Sequence, residues 1–449
     1  MFLHSSTIPQ PCKEVFAWHE RPGALERLTP PWASVELIER QGDIHDGDRT
    51  VLKVGPGPVG RRWVAEHCDY KPGEQFRDVQ VEGPLKRWVH THRFEPAPPG
   101  GCRVEDQIEF ALPGSPFSRP LSPLANRELR RTFEYRHRTL AGDLAMHARG
   151  GSPMNVLVTG ASGFIGAALV PALTTGGHSV RRLTRATPSR TDEYRWDPAA
   201  GDVDPAALEG LDAAVHLAGE TVAGRWTDEK KERILRSRVD GTRTLSEALA
   251  RLPRPPRVLV CASAIGAYGD RGDQLLTEES SRGDDFLAAV VREWEAASRP
   301  AEEAGIRVVR LRFGLVLSPA GGALRTMLRP FRLGFGGRLG SGRQWMSWVS
   351  IDDLIGAVHH ALARDELVGA ANTVAPNPVT NADFTKTLAR LIRRPALFPV
   401  PSPVLRLALG EFAEQTLASA RVVPRRLLDT GYEFRHPDLV PALCHLLGR

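Results

Sequence analysis

The residues best suited to chemistry are Gly160, Ser162, Gly163, Phe164, Ile165 and Gly166, which follow the apolar run Val156-Leu-Val-Thr159 directly. An apolar strand that runs into glycines three apart and then into Ala167-Ala-Leu-Val-Pro-Ala-Leu173 makes an anion cradle. Gly160 allows the tight turn, Gly163 lets the backbone approach a diphosphate, and Gly166 lets the helix pack closely on the strand. The helix amides and dipole then face the anion. Glycine-rich turns also punctuate ordinary loops, but here strand, spacing and helix agree on a dinucleotide site.

The next strand selects the cofactor. In such a unit it normally ends in an Asp or Glu that binds the ribose 2′-hydroxyl. The strand His178-Ser-Val-Arg-Arg-Leu-Thr-Arg185 ends instead in a base, and the next carboxylate is Asp192, well into the loop. Arg185 suits a 2′-phosphate, with Arg181 or Arg182 assisting, so NADP(H) is expected over NAD(H). The alternative is that these arginines are simply solvated. Asp212-Ala-Ala-Val-His-Leu-Ala-Gly219 reads as a buried strand. Its closing turn, Leu217, Ala218 and Gly219, touches the adenosine side of a dinucleotide in folds of this kind.

The elements that must position these residues belong to a multidomain chain, because 449 residues exceed one ordinary core. Lys and Arg number 59 against 53 Asp and Glu, and the charges are interspersed. No basic stripe forms, so a nucleic-acid partner is not expected. Cys12, Cys68, Cys102, Cys261 and Cys444 are scattered, with no C-x-x-C pair and no metal-ligand spacing. Free thiols in a reducing cytoplasm and no metal are the expectation. Met1-Phe-Leu-His-Ser-Ser lacks a basic start before a long apolar stretch, and no apolar run reaches membrane-spanning length. Neither secretion nor membrane insertion is expected.

Composition breaks at His147-Ala-Arg-Gly-Gly-Ser-Pro153, so residues 1–147 are read as one domain, 148–153 as a linker and 154–449 as another. In the first, Lys13–His19 and Pro22–Leu28 read as short helices. Alternating runs follow at Ser34–Arg40, Thr50–Val54, Arg62–His67, Gln75–Val81, Arg87–Phe94 and Cys102–Phe110, and a long amphipathic stretch covers Leu124–Met146. This order, with Leu28-Thr-Pro-Pro-Trp32 and Gly83-Pro-Leu-Lys-Arg-Trp88, resembles the START-like and polyketide-cyclase-like helix-grip domains. That resemblance implies an α+β fold in which a sheet wraps the long helix over a cavity for an apolar ligand. His90 and His92 share one face of a strand, either to serve a ligand or as half-buried surface.

From residue 154 strands and helices alternate, as a doubly wound parallel α/β sheet requires. Val258–Gly269 and Val308–Leu317 read as further strands, and Glu229–Leu252 and Asp285–Ala304 as crossover helices. With these motifs the segment resembles an extended short-chain dehydrogenase/reductase with a Rossmann sheet. The Leu-Ala-Gly-Glu220 turn, Arg225-Trp-Thr227, Ser237-Arg-Val-Asp-Gly-Thr242, Trp294-Glu295, Gly340-Ser-Gly-Arg-Gln344 and Ser347-Trp-Val-Ser-Ile-Asp-Asp353 narrow the likeness. They are similar to an atypical SulA-like epimerase family carrying a small C-terminal domain of unknown function. Arg394–Pro401, Leu409–Phe412, Ser419–Arg426 and Thr430–Phe434 look like that domain. The resemblance implies a small substrate cap built from Gly321–Ser350 and Val374–Arg449. Gln344-Trp-Met-Ser-Trp348 then either borders the substrate or fills core. Asp197 resembles the acid that contacts adenine in such folds, and equally suits a turn cap.

Ordinary members of the superfamily use a serine on the substrate carbonyl, a tyrosine as proton donor or acceptor, and a lysine four residues after the tyrosine. Ser263 stands where the serine is expected. The helix that should hold the others reads Asp284-Asp-Phe-Leu-Ala-Ala-Val-Val-Arg-Glu-Trp-Glu-Ala297, without Tyr or Lys. Tyr268 is the phenol nearest in sequence; with no cationic neighbour its pKa is expected near about 10, an acid but a poor base at neutral pH. Glu220 or Arg225 is a further group that can face the substrate. Two readings stand. In one, Ser263 and Tyr268 serve an NADP-dependent oxidoreductase or epimerase acting on a small carbonyl or sugar-nucleotide-like molecule. In the other, they only cap the strand and line the pocket of a non-catalytic NADP(H) sensor or scaffold.

Overall fold

The structure, a computed structural model, describes residues 1–112 and 122–449 and divides into two compact units. The first contains β1 (Phe2–Ile8), α1 (Cys12–Glu20), α2 (Ala24–Leu28), β2 (Val35–Gln41), β3 (Arg49–Val54), β4 (Arg61–Lys71), β5 (Gln75–Glu82), β6 (Arg87–Ala97), β7 (Gly101–Ala111) and α3 (Ser122–Ala148). Its seven strands make one antiparallel sheet, in the order β1-β7-β6-β5-β4-β3-β2. Alternation sends Phe76, Phe94 and Val104 to one face, where they pack with Val15, Phe16 and Trp18 of α1 and Leu140 and Leu144 of α3. Phe133, His137, Leu140 and Leu144 recur at helical spacing, so the long helix lays one stripe on the sheet. This is the helix-grip arrangement.

Cys12 and Cys102 are joined in a disulfide, which corrects the expectation of five free thiols; Cys68, Cys261 and Cys444 are free. The start of α1 packs on the start of β7 and brings the two Cα atoms within 4.7 Å, across 90 residues of sequence. No short spacing could reveal that pair.

The second unit runs β8 (Asn155–Thr159), α4 (Gly166–Thr175), β9 (Ser179–Thr184), β10 (Glu193–Asp197), β11 (Asp202–Val203), β12 (Ala213–His216), α5 (Asp228–Ala250), β13 (Val258–Ala264), β14 (Leu275–Leu276), α6 (Phe286–Ala296) and α7 (Arg299–Glu303). It continues through β15 (Arg307–Phe313), β16 (Leu315–Leu317), α8 (Gly322–Arg332), β17 (Trp345–Met346), β18 (Trp348–Ser350), α9 (Ile351–Ala363) and β19 (Gly369–Thr373). The main sheet has the order β11-β10-β9-β8-β12-β13-β15-β19, parallel except for the edge strand β11. It is a Rossmann sheet. Leu157, Ala214, Leu259 and Cys261 bury on one face with Leu245 and Leu249 of α5, while α9 packs on β13 and β15. Burial on both faces is why the central strands β8, β12 and β13 are largely apolar. The strand order reverses beside β8, which opens a crevice at the carboxyl ends of β8 and β12.

Two expected elements are divided. The helix read over Asp285–Ala304 breaks at Ser298, because Pro300 follows and has no amide to continue the ladder, and α7 starts afresh. The strand read over Val308–Leu317 breaks at Gly314, which donates to Thr373 O, while Leu315 turns to Ser347 O and β16 pairs with β18.

The remaining elements are β20 (Val379–Thr380), α10 (Asn381–Ile392), α11 (Ser402–Leu409), α12 (Phe412–Leu417), β21 (Arg421–Val422), α13 (Arg425–Asp429) and α14 (Leu439–Leu447). β21 pairs with β14 and β20 with β17. Ser350 caps α9, accepting from Asp353 N at 3.0 Å. The buried Asp353 carboxylate accepts from Arg435 N and His436 N, and Tyr432 donates to Asp353 O. The Ser347–Asp353 motif is therefore a helix cap that also anchors the tail. No helix among the described residues is long and apolar enough to cross a membrane.

Arg27 of α2 binds Asp143 of α3 through two 2.7 Å hydrogen bonds, both side chains buried. Removing one partner of such a pair costs about 3–5 kcal/mol. Asp143→Ala should therefore speed hydrogen exchange of the protected α3 amides by about a hundredfold or more, and unchanged exchange would show that the pair is dispensable.

Candidate functional site

The cradle begins where β8 ends. Gly160 has φ +68°, and a Cβ there would lie 2.9 Å from Leu217 C and Ala218 N. Its bare Cα is what lets the turn approach the end of β12. A Cβ on Gly166 would meet Gly160 O at 2.2 Å, so the helix start needs the same economy of atoms. Gly163 N donates to Gly160 O at 2.9 Å and Ala167 N to Gly163 O at 2.8 Å. Ser162 and Gly163 are exposed, Phe164 and Ile165 half-buried, and the Phe164 ring lies against Gly321 and Gly322. Ala168 N and Leu169 N are likewise taken, by Ile165 O, so the amides left to favour an anion, with the dipole, are those of Ser162, Phe164, Ile165 and Gly166, which make no backbone hydrogen bond among the described residues.

Thr159 and His216, which sequence reasoning passed over as strand interior, hold this turn to β12. Thr159 Oγ1 accepts from Leu217 N and Ala218 N, both at 3.2 Å, and its proton points to His216 Nδ1 at 2.8 Å. With both lone pairs taken the hydroxyl must donate, so the ring is neutral with its proton on Nε2. Burial agrees, pushing the His216 pKa down to about 4. Gly219, exposed, and Glu220 are braced from α5: Glu220 N donates to Ser237 Oγ, and Arg238 donates to Glu220 O while lying 5.0 Å over the Trp294 ring. Burial lowers Arg238 to about 10.

Of Arg181 and Arg182 in β9 and Arg185 just after it, one is open. Arg181 donates to the carbonyls of Ala207 and Glu209, and Arg182 pairs with Asp192 at 3.0 Å. The assistance expected from these two is thus engaged elsewhere. Arg185 is exposed and forms no ion pair among the described residues. Glu220 binds Lys230 Nζ at 2.6 Å, and its carboxyl is held below the usual range by that bond first, with Arg233 and Arg185 adding to it. Asp197 caps its own turn, accepting from Ala199 N and Ala200 N. Arg225 is exposed, with its side chain beside Gly410.

Ser263, at the end of β13, and Tyr268, in the turn after it, do not bond each other. Both join one buried network. Ser263 donates to Glu295 Oε1 at 2.7 Å, and Arg312 of β15 binds both oxygens of Glu295, at 2.9 and 3.0 Å. Arg312 Nη1 also donates to Tyr268 Oη at 2.9 Å, and Tyr268 donates to Asn372 Oδ1 at 2.7 Å. Ser263 is 2% and Tyr268 0% exposed. The expectation of a phenol without a cationic neighbour is therefore corrected: β13 and β15 are adjacent, and their register sets Arg312 beside Ser263. Burial raises the Tyr268 pKa, with Arg312 pulling the other way. Burial also acts to raise Glu295, but Arg312, Ser263 and Arg282 outweigh it and keep the carboxylate ionised. Of the two tryptophans expected near substrate or core, Trp348 is fully buried and Trp345 half-buried under Arg421.

The first unit holds a cavity of about 370 Å³ with Leu28, Val54 and Trp63 in its walls and polar groups in its floor. His90 and His92, read above as a ligand pair or as half-buried strand surface, are buried there because α3 covers that sheet face. Asp78 is the cross-strand partner of His90, and Asp106 of His92. Burial alone would lower His90, but Asp78 and Asp106 outweigh it and raise its pKa to about 9. Asp78, Asp106 and His137 escaped sequence reasoning. The available signal was polar residues at the inward, alternate positions of neighbouring strands.

Three family models match the chain: the NAD dependent epimerase/dehydratase family over residues 156–374, a domain of unknown function over 400–446, and polyketide cyclase / dehydrase and lipid transport over 8–138. An epimerase family protein of Mycobacterium bovis is 43% identical over 296 residues, 66% of this chain and 98% of the relative. The chain belongs to the epimerase family. A solved structure described as the nucleoside-diphosphate sugar epimerase of Corynebacterium glutamicum matches 100% of this epimerase-family chain and 90% of its own, with TM-score 0.83 and 37% identity. Human epimerase family protein SDR39U1, solved with NADPH, matches 65% of this chain and 99% of its own, with TM-score 0.61 and 38% identity.

Two outcomes follow for this epimerase-family site. Arg312→Met leaves Glu295 buried without its main partner and should cost about 3 kcal/mol or more, whereas Glu295→Met with Arg312→Met should lose far less than the sum. A double-mutant cycle with no coupling would refute that. Below pH 6.5 the unfolded chain protonates His216, whereas the folded one resists until about 4. Its contribution of about 3 kcal/mol is thus complete above pH 6.5 and lost as pH falls toward 4. Protection of the β8 and β12 amides should decline across that window, and decline less in His216→Asn.

Proposed function

We propose that the β8 turn and the end of β12 hold NADP(H), and that the chain is an epimerase-like oxidoreductase acting on a carbonyl or sugar-nucleotide-like substrate. One observation carries this reading: the turn after β8 leaves amides open at the switch point, and just past β9 stands Arg185, exposed and in no ion pair among the described residues, where NAD-preferring units place an acid. The amides of Ser162, Phe164, Ile165 and Gly166 receive the diphosphate, and Leu217, Ala218 and Gly219 border the adenosine. Arg185 meets the 2′-phosphate with Arg233 nearby. The residues fit the group, since a Cβ at Gly160 or Gly166 would close the turn. The human relative solved with NADPH supports the cofactor, and the description of the Corynebacterium structure supports a nucleoside-diphosphate sugar as the substrate class. The nicotinamide, when bound, supplies hydride transfer. The chain's own acid would be Tyr268, protonated at neutral pH and released to a substrate only when its bond to Asn372 opens.

A second reading is favoured by the closed network itself. Ser263 and Tyr268 both have their hydroxyls occupied by buried partners. A sensor or scaffold would bind NADP(H) without turnover, and its first-unit cavity would hold a ligand with an apolar body.

Arg185→Ala should weaken NADPH about tenfold or more while leaving NADH within about twofold, by calorimetry; equal weakening of both would remove the 2′-phosphate assignment. NADPH oxidation with a carbonyl or sugar nucleotide, abolished in Tyr268→Phe at unchanged affinity, would support the enzyme. Tight binding with no oxidation across such a panel would favour the sensor.

A further inference from the structure

In the first unit, outside the nucleotide crevice, three potential ligand atoms converge with nothing to separate them. His90 Nδ1 lies 3.0 Å and His92 Nε2 3.7 Å from Asp78 Oδ2, and all three atoms are within 4.8 Å of one another. The opposite ring nitrogens, His90 Nε2 and His92 Nδ1, each lie 2.8 Å from Asp106 Oδ1. An ionised carboxylate only accepts, so those two nitrogens carry protons. In neutral rings the inward nitrogens are then bare. Trp88 Nε1 donates to Asp78 Oδ1 at 3.3 Å, which leaves Oδ2 for the gap. With both rings neutral, two imidazole lone pairs and a carboxylate oxygen face one another, an arrangement that is repulsive unless a proton or a metal ion lies between them.

We propose that this gap binds a first-row divalent transition-metal ion of the Zn²⁺ type through Asp78 Oδ2, His90 Nδ1 and His92 Nε2. The separations suit ligands placed about 2.0–2.2 Å from one metal at tetrahedral or octahedral angles. Two imidazoles with one carboxylate select such a metal over Mg²⁺ or Ca²⁺, which take oxygen ligands. Asp106 is the outer carboxylate that fixes both rings and their tautomers, as metal-binding histidines require. It is itself held, because His137 Nε2 lies 2.5 Å from Asp106 Oδ2 and Ser6 Oγ lies 2.6 Å from His137 Nδ1. All three ligands line the cavity, so the metal's open position faces it. An otherwise apolar molecule with a carbonyl, hydroxyl or carboxylate oxygen fits that position. The assignment does not depend on the nucleotide reading.

The rival occupant is a proton on His90, clamped by Asp78 and Asp106. Calorimetry separates the two, using full-length protein stripped with chelator and titrated with Zn²⁺ alone. Wild type should bind one equivalent at this gap, and Asp78→Asn and His92→Ala should each weaken it a hundredfold or more. Asp106→Asn should weaken it about 10- to 100-fold, as an outer ligand does. No binding by wild type returns the gap to the proton and overturns the proposal. Equal binding by wild type and His92→Ala places the ion elsewhere, the group Asp352, His436 and His445 being one alternative, and also overturns it. Should the variants fail to fold, anomalous diffraction at the zinc edge from loaded wild-type crystals decides the matter: a peak among Asp78, His90 and His92 supports the site, and a peak elsewhere or none refutes it.

Discussion

The close passage of one backbone over another, Gly160 against Leu217 and Ala218, is the constraint on which the second unit's function depends. It draws the first turn of the sheet onto the end of β12 and so shapes the crevice. The approach buries the end of a strand whose amides must still be satisfied. Thr159 provides for two of them, and His216 fixes the direction of the Thr159 hydroxyl. The absence of two Cβ atoms, one hydroxyl and one neutral imidazole together make an anion cradle out of an ordinary strand end.

The same sheet carries a second constraint at the ends of β13 and β15. The helix α6 bears Glu295, and β15 supplies Arg312. A bidentate buried pair of this kind is a weak contributor to net stability but strongly disfavours any arrangement that leaves one partner alone. It therefore fixes Ser263 and Tyr268 as satisfied neighbours of an ion pair. The two hydroxyls that look free along the chain are free only in one dimension.

The first unit shows a different economy. An antiparallel sheet buries one face, and most of its inward positions are apolar, as Phe76, Phe94 and Val104 illustrate. Asp78, His90, His92 and Asp106 break that rule on adjacent strands, and α3 adds His137 within its own buried stripe. Burying four such groups, with Asp78 half-buried beside them, demands mutual hydrogen bonds. The network supplies them while leaving one inward gap beside the cavity.

The chain by itself determined the two fold types, because hydrophobic alternation and the spacing of Gly160, Gly163 and Gly166 are local properties that survive in one dimension. The open Arg185 was legible for the same reason, since the missing acid lies one strand beyond the turn. What only the tertiary structure decided is which polar groups meet: Cys12 with Cys102, Ser263 with Glu295 and Arg312, Asp78 with His90, and Asp353 with the tail amides. These pairings join residues from 12 to 90 positions apart through sheet register and helix packing, and no period in the sequence encodes the distance between two strands that happen to be neighbours.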